Sequence, residues 1–152
     1  MTEYRKQRLK LAKGTYHLFR PDDGQPILGL VPNRKGTYVT LCRLHYENRL
    51  MSLEIPKGFR TDLASIPWWL KWLPFLDPTD PKYRMAVIHD AMYAMQEVYR
   101  EDADMVFRSG LKADGVGIWI RMAMYYGVRL GGRKAWMDHA RRKAARGNPP
   151  SK

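Results

Sequence analysis

The segment MSLEIPKGFRTDLASIPWWL, residues 51–70, divides the chain in two. Up to its ninth residue the pattern is that of strands. TYHLFR, ILGLVP, TYVTLCRLHY and MSLEIPKGF carry β-branched, aromatic and aliphatic residues between the turn signals PDDGQP and PNRKG. Strands this short and closely joined favour antiparallel hairpins over βαβ units, whose crossovers need a dozen residues or more. VTLCRL does not alternate cleanly, which leaves the register open there.

Beyond the segment the pattern is helical. SIPWWLKWL begins with Ser65 as an N-cap and Pro67 near the first turn. The proline-rich PFLDPTDP cannot continue a helix. Asp80 then caps a helix with Pro81 at its first position, running to about Tyr99. REDADMVFRSGL is a second helix, with Asp102 near its start, GVGIWIRMAMYYGVRL a third and RKAWMDHARRKAARG a fourth ending at Gly147. The third is apolar on most faces and is expected at the centre. The fold expected is therefore α+β: a small N-terminal antiparallel sheet packed on a C-terminal bundle of about four helices. It forms one domain over residues 1–147, β-rich at 15–59 and α-rich at 65–147, followed by a flexible tail at 148–152.

Composition narrows the classes of function. The 152 residues suit one domain. No run of 18 apolar residues spans a membrane, and the basic N-terminus MTEYRKQRLKLAKG lacks the apolar segment of a secretory signal. The single cysteine, Cys42, excludes an intramolecular disulfide framework and a cysteine-rich zinc cluster. A reducing cytosol, or a particle assembled there, is the simplest compartment. Net charge is +12 and sits at the ends, with +4 in residues 1–14 and +6 in residues 131–152. Such termini suit an acidic surface: a viral protein, a phospholipid or a nucleic-acid backbone. No motif for reading bases accompanies them.

Chemistry concentrates in VIHDAMY, residues 87–93. From Met85 to Met95 only His89, Asp90 and Tyr93 are polar. His89 and Tyr93 are four apart and share a helix face, while Asp90 points about 100° away. Asp104 is followed at helical spacing by Phe107 and Leu111, so it should face inward, and Arg100 four residues before it can pair with it. Asp104 is the candidate acceptor for His89, which would make the imidazole a general base. Asp90 would then serve as an oxygen ligand for a hard cation. In RTDLASIP, Asp62 and Ser65 fall in a loop, where backbone groups can bind ligands. The same residues can equally tie two helices and a loop together with no chemistry at all. Ser65 lacks the G-x-S-x-G setting of a nucleophile and reads as an N-cap. His17 and His45 read as surface or edge residues, His139 as solvated, and WWLKW as core.

IPKGFRTDLASIPWWL, YRMAVIHDAMY, REDADMVF and AMYYGVRLGG together resemble the signature of a family of small phage and prophage proteins, domain of unknown function 1353, over about residues 50–132. That resemblance implies a bacteriophage or prophage origin and brings no settled activity. The pattern HDAMY…AD is also similar to the helix pair of phospholipase A2-like domains. This second resemblance implies His89 as the base activating water, Asp90 as a calcium ligand, and Tyr93 and Asp104 as the groups that fix the imidazole. The glycine-rich calcium loop of those domains has no counterpart before His89; only KGFRTDLAS could take its place, with Asp62 as an extra ligand.

Two functions are thus expected. One is a phage structural or accessory protein, associated with the virion or tail, whose polar residues are architectural. The other is a calcium-assisted ester hydrolase, with a lipid as the first substrate to try. Either would reside in the host cytoplasm or in the phage particle.

Overall fold

A computed structural model describes residues 17–21, 28–30, 37–48, 50–63 and 84–147. Ser65, WWLKW, the Asp80 cap, the basic residues 1–14 and the tail 148–152 lie outside the described residues.

The class is α+β, and among the described residues six strands form two three-stranded antiparallel sheets rather than one. β1 (His17–Pro21), β4 (Leu44–Asn48) and β5 (Ser52–Ile55) form the first, in the order β1-β4-β5. β2 (Leu28–Leu30), β3 (Tyr38–Thr40) and β6 (Arg60–Thr61) form the second, in the order β2-β3-β6. TYVTLCRLHY is therefore two strands, not one. The chain leaves the second sheet after Thr40 and enters the first at Leu44, which is why VTLCRL does not alternate.

Within β4 and β5 alternation is regular: Leu44, Tyr46, Asn48, Leu53 and Ile55 are buried. Asn48 closes the hairpin, its Oδ1 accepting the amides of Leu50 at 2.8 Å and Met51 at 2.9 Å. The turn that returns the chain to β6 hangs on Thr40. Its hydroxyl donates to Pro56 O at 2.8 Å and accepts from the Phe59 amide at 2.9 Å. Gly58 takes φ +86° in this turn, a conformation open to glycine.

Among the described residues three helices follow, where about four were expected in the whole chain. α1 (Arg84–Met95) is the central one, with every residue from Met85 to His89 and from Ala91 to Tyr93 buried. It ends four residues before the expected Tyr99, because Gln96 turns into the left-handed region at φ +54°. Partners from the last helix hold that end. Lys143 Nζ donates to Met95 O, a carbonyl freed at the terminus, and Gln96 Nε2 donates to Trp136 O on the last helix, both at 2.8 Å.

α2 (Arg100–Ala113) buries Ala103, Asp104, Val106, Phe107 and Leu111 on one face. It crosses α1 closely at Gly110, where an added Cβ would collide with the Met85 side chain. Arg84 and Asp114 clamp the start of α1 to the end of α2, with Arg84 Nε at 3.1 Å from both carboxylate oxygens.

α3 (Ile118–Ala145) is a single helix of 28 residues, merging the third and fourth expected helices through Gly131 and Gly132. Two glycines cost about 1 kcal/mol each inside a helix, which packing along its length outweighs. Its expected central place is also corrected, since only Met124 and Val128 are fully buried and Trp119 and Leu130 are exposed. α1, apolar all round, occupies the centre instead. The buried faces of β4 and β5 and of the three helices share one hydrophobic core. No helix of the described residues is long and apolar enough to cross a membrane.

Candidate functional site

Asp104 is the hub of the polar residues in this core. It lies on α2, 0 % exposed, and receives donors from both other helices. From α1, His89 Nε2 donates to its Oδ1 at 2.7 Å and the Tyr93 hydroxyl to the same oxygen at 2.8 Å. From α3, Arg129 Nη1 donates to Oδ2 at 2.8 Å, and Arg100 Nη1 lies 3.7 Å from that oxygen. Arg100 also donates to Arg129 O at 3.2 Å, joining α2 and α3 a second time.

Helix spacing explains the convergence. His89 and Tyr93, four apart, lie with ring centroids 4.2 Å apart and planes tilted by 43°, and Phe107 packs on the imidazole at 4.8 Å. Asp104, three before Phe107 on α2, meets both from below. Burial by itself raises the Asp104 carboxyl. The hydrogen bond and charge of His89, with the hydrogen bonds of Arg129 and Tyr93, outweigh it and hold the group below the usual carboxylate range. Burial, reinforced by the Asp104 charge, pushes the Tyr93 hydroxyl up. Asp104 is thus an anion at neutral pH and accepts all of these bonds.

Asp90 faces the other way, as its offset requires. Its partner is Thr61, whose hydroxyl donates to Asp90 Oδ2 and accepts the Leu63 amide at 3.0 Å. Leu63 is buried with φ +52°, a conformation costing of order 1–3 kcal/mol in a non-glycine residue. Thr61, Asp62 and Leu63 thus form a strained turn pinned to α1 at the residue beside His89. Thr61 was not among the expected site residues; its signal was only its place before Asp62 in TDLAS.

A cleft of about 1420 Å³ opens beside this turn. Among the described residues Thr61, Asp62, His89, Asp90, Tyr93 and His139 border it. Asp62 is exposed on its wall and does not join the Asp104 hub. His139, expected to be solvated, is half-buried and also borders the cleft. Burial and the charge of Arg142 depress its pKa, while Asp62 and Asp138 oppose that shift. His89 borders the cleft but is only 2 % exposed. His45 sits on the partly exposed face of the central strand β4, near Glu47 and Glu54, and not on an edge.

The phospholipase likeness implies calcium on Asp90 and Asp62, which both border the cleft, with further ligands from loop carbonyls. Among the described residues no three His, Cys, Asp or Glu side chains converge on a metal position. Asp90 accepts the Thr61 hydroxyl.

The family model described as "Protein of unknown function (DUF1353)" matches residues 39–128, more than half of the chain. The chain belongs to the DUF1353 family. The DUF1353 match begins at β3, earlier than the motif likeness at about residue 50, and so takes in the Thr40-anchored turn. Thr61, His89, Asp90, Tyr93, Arg100 and Asp104 fall inside it, whereas Arg129 and His139 fall beyond it. No curated protein and no solved structure matches this DUF1353 chain.

Proposed function

We propose that the chain is a structural or accessory protein of bacteriophage or prophage, held to an acidic surface by its basic segments, with an architectural His–Asp network. The observation that carries the architectural reading is the fully buried Asp104 of α2, on which donors from both other helices converge. Removing one partner from such a buried ionic cluster costs about 3–5 kcal/mol, so the network specifies how α1, α2 and α3 meet. The phage origin rests on the motif resemblance.

A second reading has one observation in its favour: His89 and Asp90 border the cleft. The His89 imidazole, held at Nε2 by Asp104, would be the general base. A water in the cleft would give its proton to the imidazole and bond to an ester carbonyl carbon; the ester C–O bond then breaks and the alcohol leaves with the proton the imidazole returns, while Asp104 and Tyr93 hold the ring in place.

One experiment separates the two. The purified chain and its His89→Gln variant are compared for folding by circular dichroism and for hydrolysis of a short-chain phospholipid and a soluble ester, with and without calcium. The architectural reading expects a destabilised variant and no hydrolysis by either protein. A folded variant that lacks only a hydrolase activity of the parent would establish the second reading in its place.

A further inference from the structure

The outward face of α3 carries a feature that the Asp104 network does not use. Trp119, Tyr126, Leu130 and Met137 are 85 %, 55 %, 84 % and 47 % exposed. Their spacings of seven, four and seven residues place them, at about 100° per residue, within about 20° of one line along the helix. At about 1.5 Å per residue that line is about 27 Å long. The buried Met124 and Val128 lie on the opposite side, as do Ala135 and Gly132, which face the body of the protein. The stripe therefore points directly away from the core. Scattered single exposures need no explanation, but four large apolar side chains in register on one helix do.

Charge limits what can cover them. α3 carries seven arginines and lysines against the single acid Asp138. Arg133, Lys134 and Arg141 flank the stripe within about 60° of its line. Arg133 falls between Leu130 and Met137, where a helical partner would have to bury it in the seam. A second copy would bring the same excess of positive charge against itself. An anionic lipid surface meets neither obstacle. Tryptophan and tyrosine settle at the headgroup level, and long basic side chains bury their stems while their charges reach lipid phosphates.

We infer that the outer face of α3 is a peripheral docking surface for anionic phospholipid, with Trp119 and Leu130 as its apolar anchors and Arg133, Lys134 and Arg141 as its headgroup contacts. This names the acidic surface of the proposed function and rests on that reading. The cleft-lining residues Val128, Gly131, Ala135, His139 and Arg142 occupy the other side of α3, so docking leaves the cleft facing away from the bilayer.

Co-sedimentation with vesicles of phosphatidylglycerol and phosphatidylcholine in equal parts, and with phosphatidylcholine alone, tests this on the full chain. Binding to the anionic vesicles only is expected. Both Trp119→Ala/Leu130→Ala and Arg133→Glu/Lys134→Glu/Arg141→Glu should weaken it at least tenfold, with unchanged circular dichroism because all five side chains lie off the core. Anionic binding that survives the apolar double variant would overturn the inference while leaving attachment through the basic termini standing. A change of mass in sedimentation equilibrium on making that double variant, without vesicles, would assign the stripe to self-association and overturn it as well. Absence of any binding to anionic vesicles, nucleic acid or acidic protein by the parent chain would remove the acidic-surface reading itself.

Discussion

His89 and Asp104 stand 15 residues apart in the chain and meet at 2.7 Å, Nε2 to Oδ1, where α1 crosses α2. The Tyr93 hydroxyl shares the same oxygen at 2.8 Å, and Arg129 from α3 takes the other at 2.8 Å. Three helices are thereby joined through one carboxylate.

His89→Ala leaves a cavity beneath Phe107 and removes one donor from a buried anion. A loss of about 1–3 kcal/mol is expected from the missing hydrogen bond, with a further cavity cost. Urea unfolding of the variant against the parent measures it; an unchanged midpoint would mean that the network holds nothing together.

Asp104 gives the protein an acid limit. Its folded-state pKa lies below its unfolded value, so its contribution is fully present above about pH 4 and lost as pH falls through the folded value. Asp104→Asn should lower neutral-pH stability by about 3–5 kcal/mol, the cost of breaking a buried charge cluster. It should also flatten the stability curve below about pH 4 relative to the parent. Thermal melts across the acid range show both effects.

His139 acts in a different window. Its folded-state pKa is depressed below the ordinary value of about 6.5, so the folded protein binds this proton less readily than the unfolded chain. Stability therefore falls as pH drops below about 6.5 toward the folded value, and His139→Gln should remove that part of the pH dependence. Melts between neutral and mildly acid pH would reveal it.

The two adjacent glycines of α3 should respond in opposite ways. A Cβ at Gly131 meets nothing within 4 Å, so Gly131→Ala should stabilise the helix by about 0.5–1 kcal/mol. A Cβ at Gly132 would meet the Tyr93 hydroxyl at 2.5 Å and displace it from Asp104. That strain costs about 1–3 kcal/mol, offsetting the same propensity gain. Differential scanning calorimetry of the pair gives the ordering directly.

Thr61→Val keeps the shape of the turn and deletes its hydroxyl. Asp90 loses a donor and the Leu63 amide an acceptor, for an expected cost of about 1–3 kcal/mol. Hydrogen exchange at Leu63 should quicken in this variant and not in Asp62→Ala, whose exposed side chain stands on the cleft wall.

Much of the site was legible because helix periodicity is local. His89 and Tyr93 at a spacing of four, and Asp104 in line with Phe107 and Leu111, are inward-facing on pattern alone. The family motifs were equally readable, since they are short runs in a set order. Arg129 and Thr61 were not, because each comes from an element whose approach to α1 depends on how the whole core packs.

By itself, then, the sequence determined the α+β division at residues 51–70, the identity of the central polar residues and the basic character of the ends. Tertiary structure decided the rest. It sent TYVTLCRLHY into two sheets, ended α1 at Met95 with hydrogen bonds to and from α3, and carried α3 unbroken through Gly131 and Gly132. Local propensities differ by only about 1 kcal/mol per residue, whereas burying a single large apolar side chain contributes about 1.5–3 kcal/mol. Where the two conflict, packing sets the boundary.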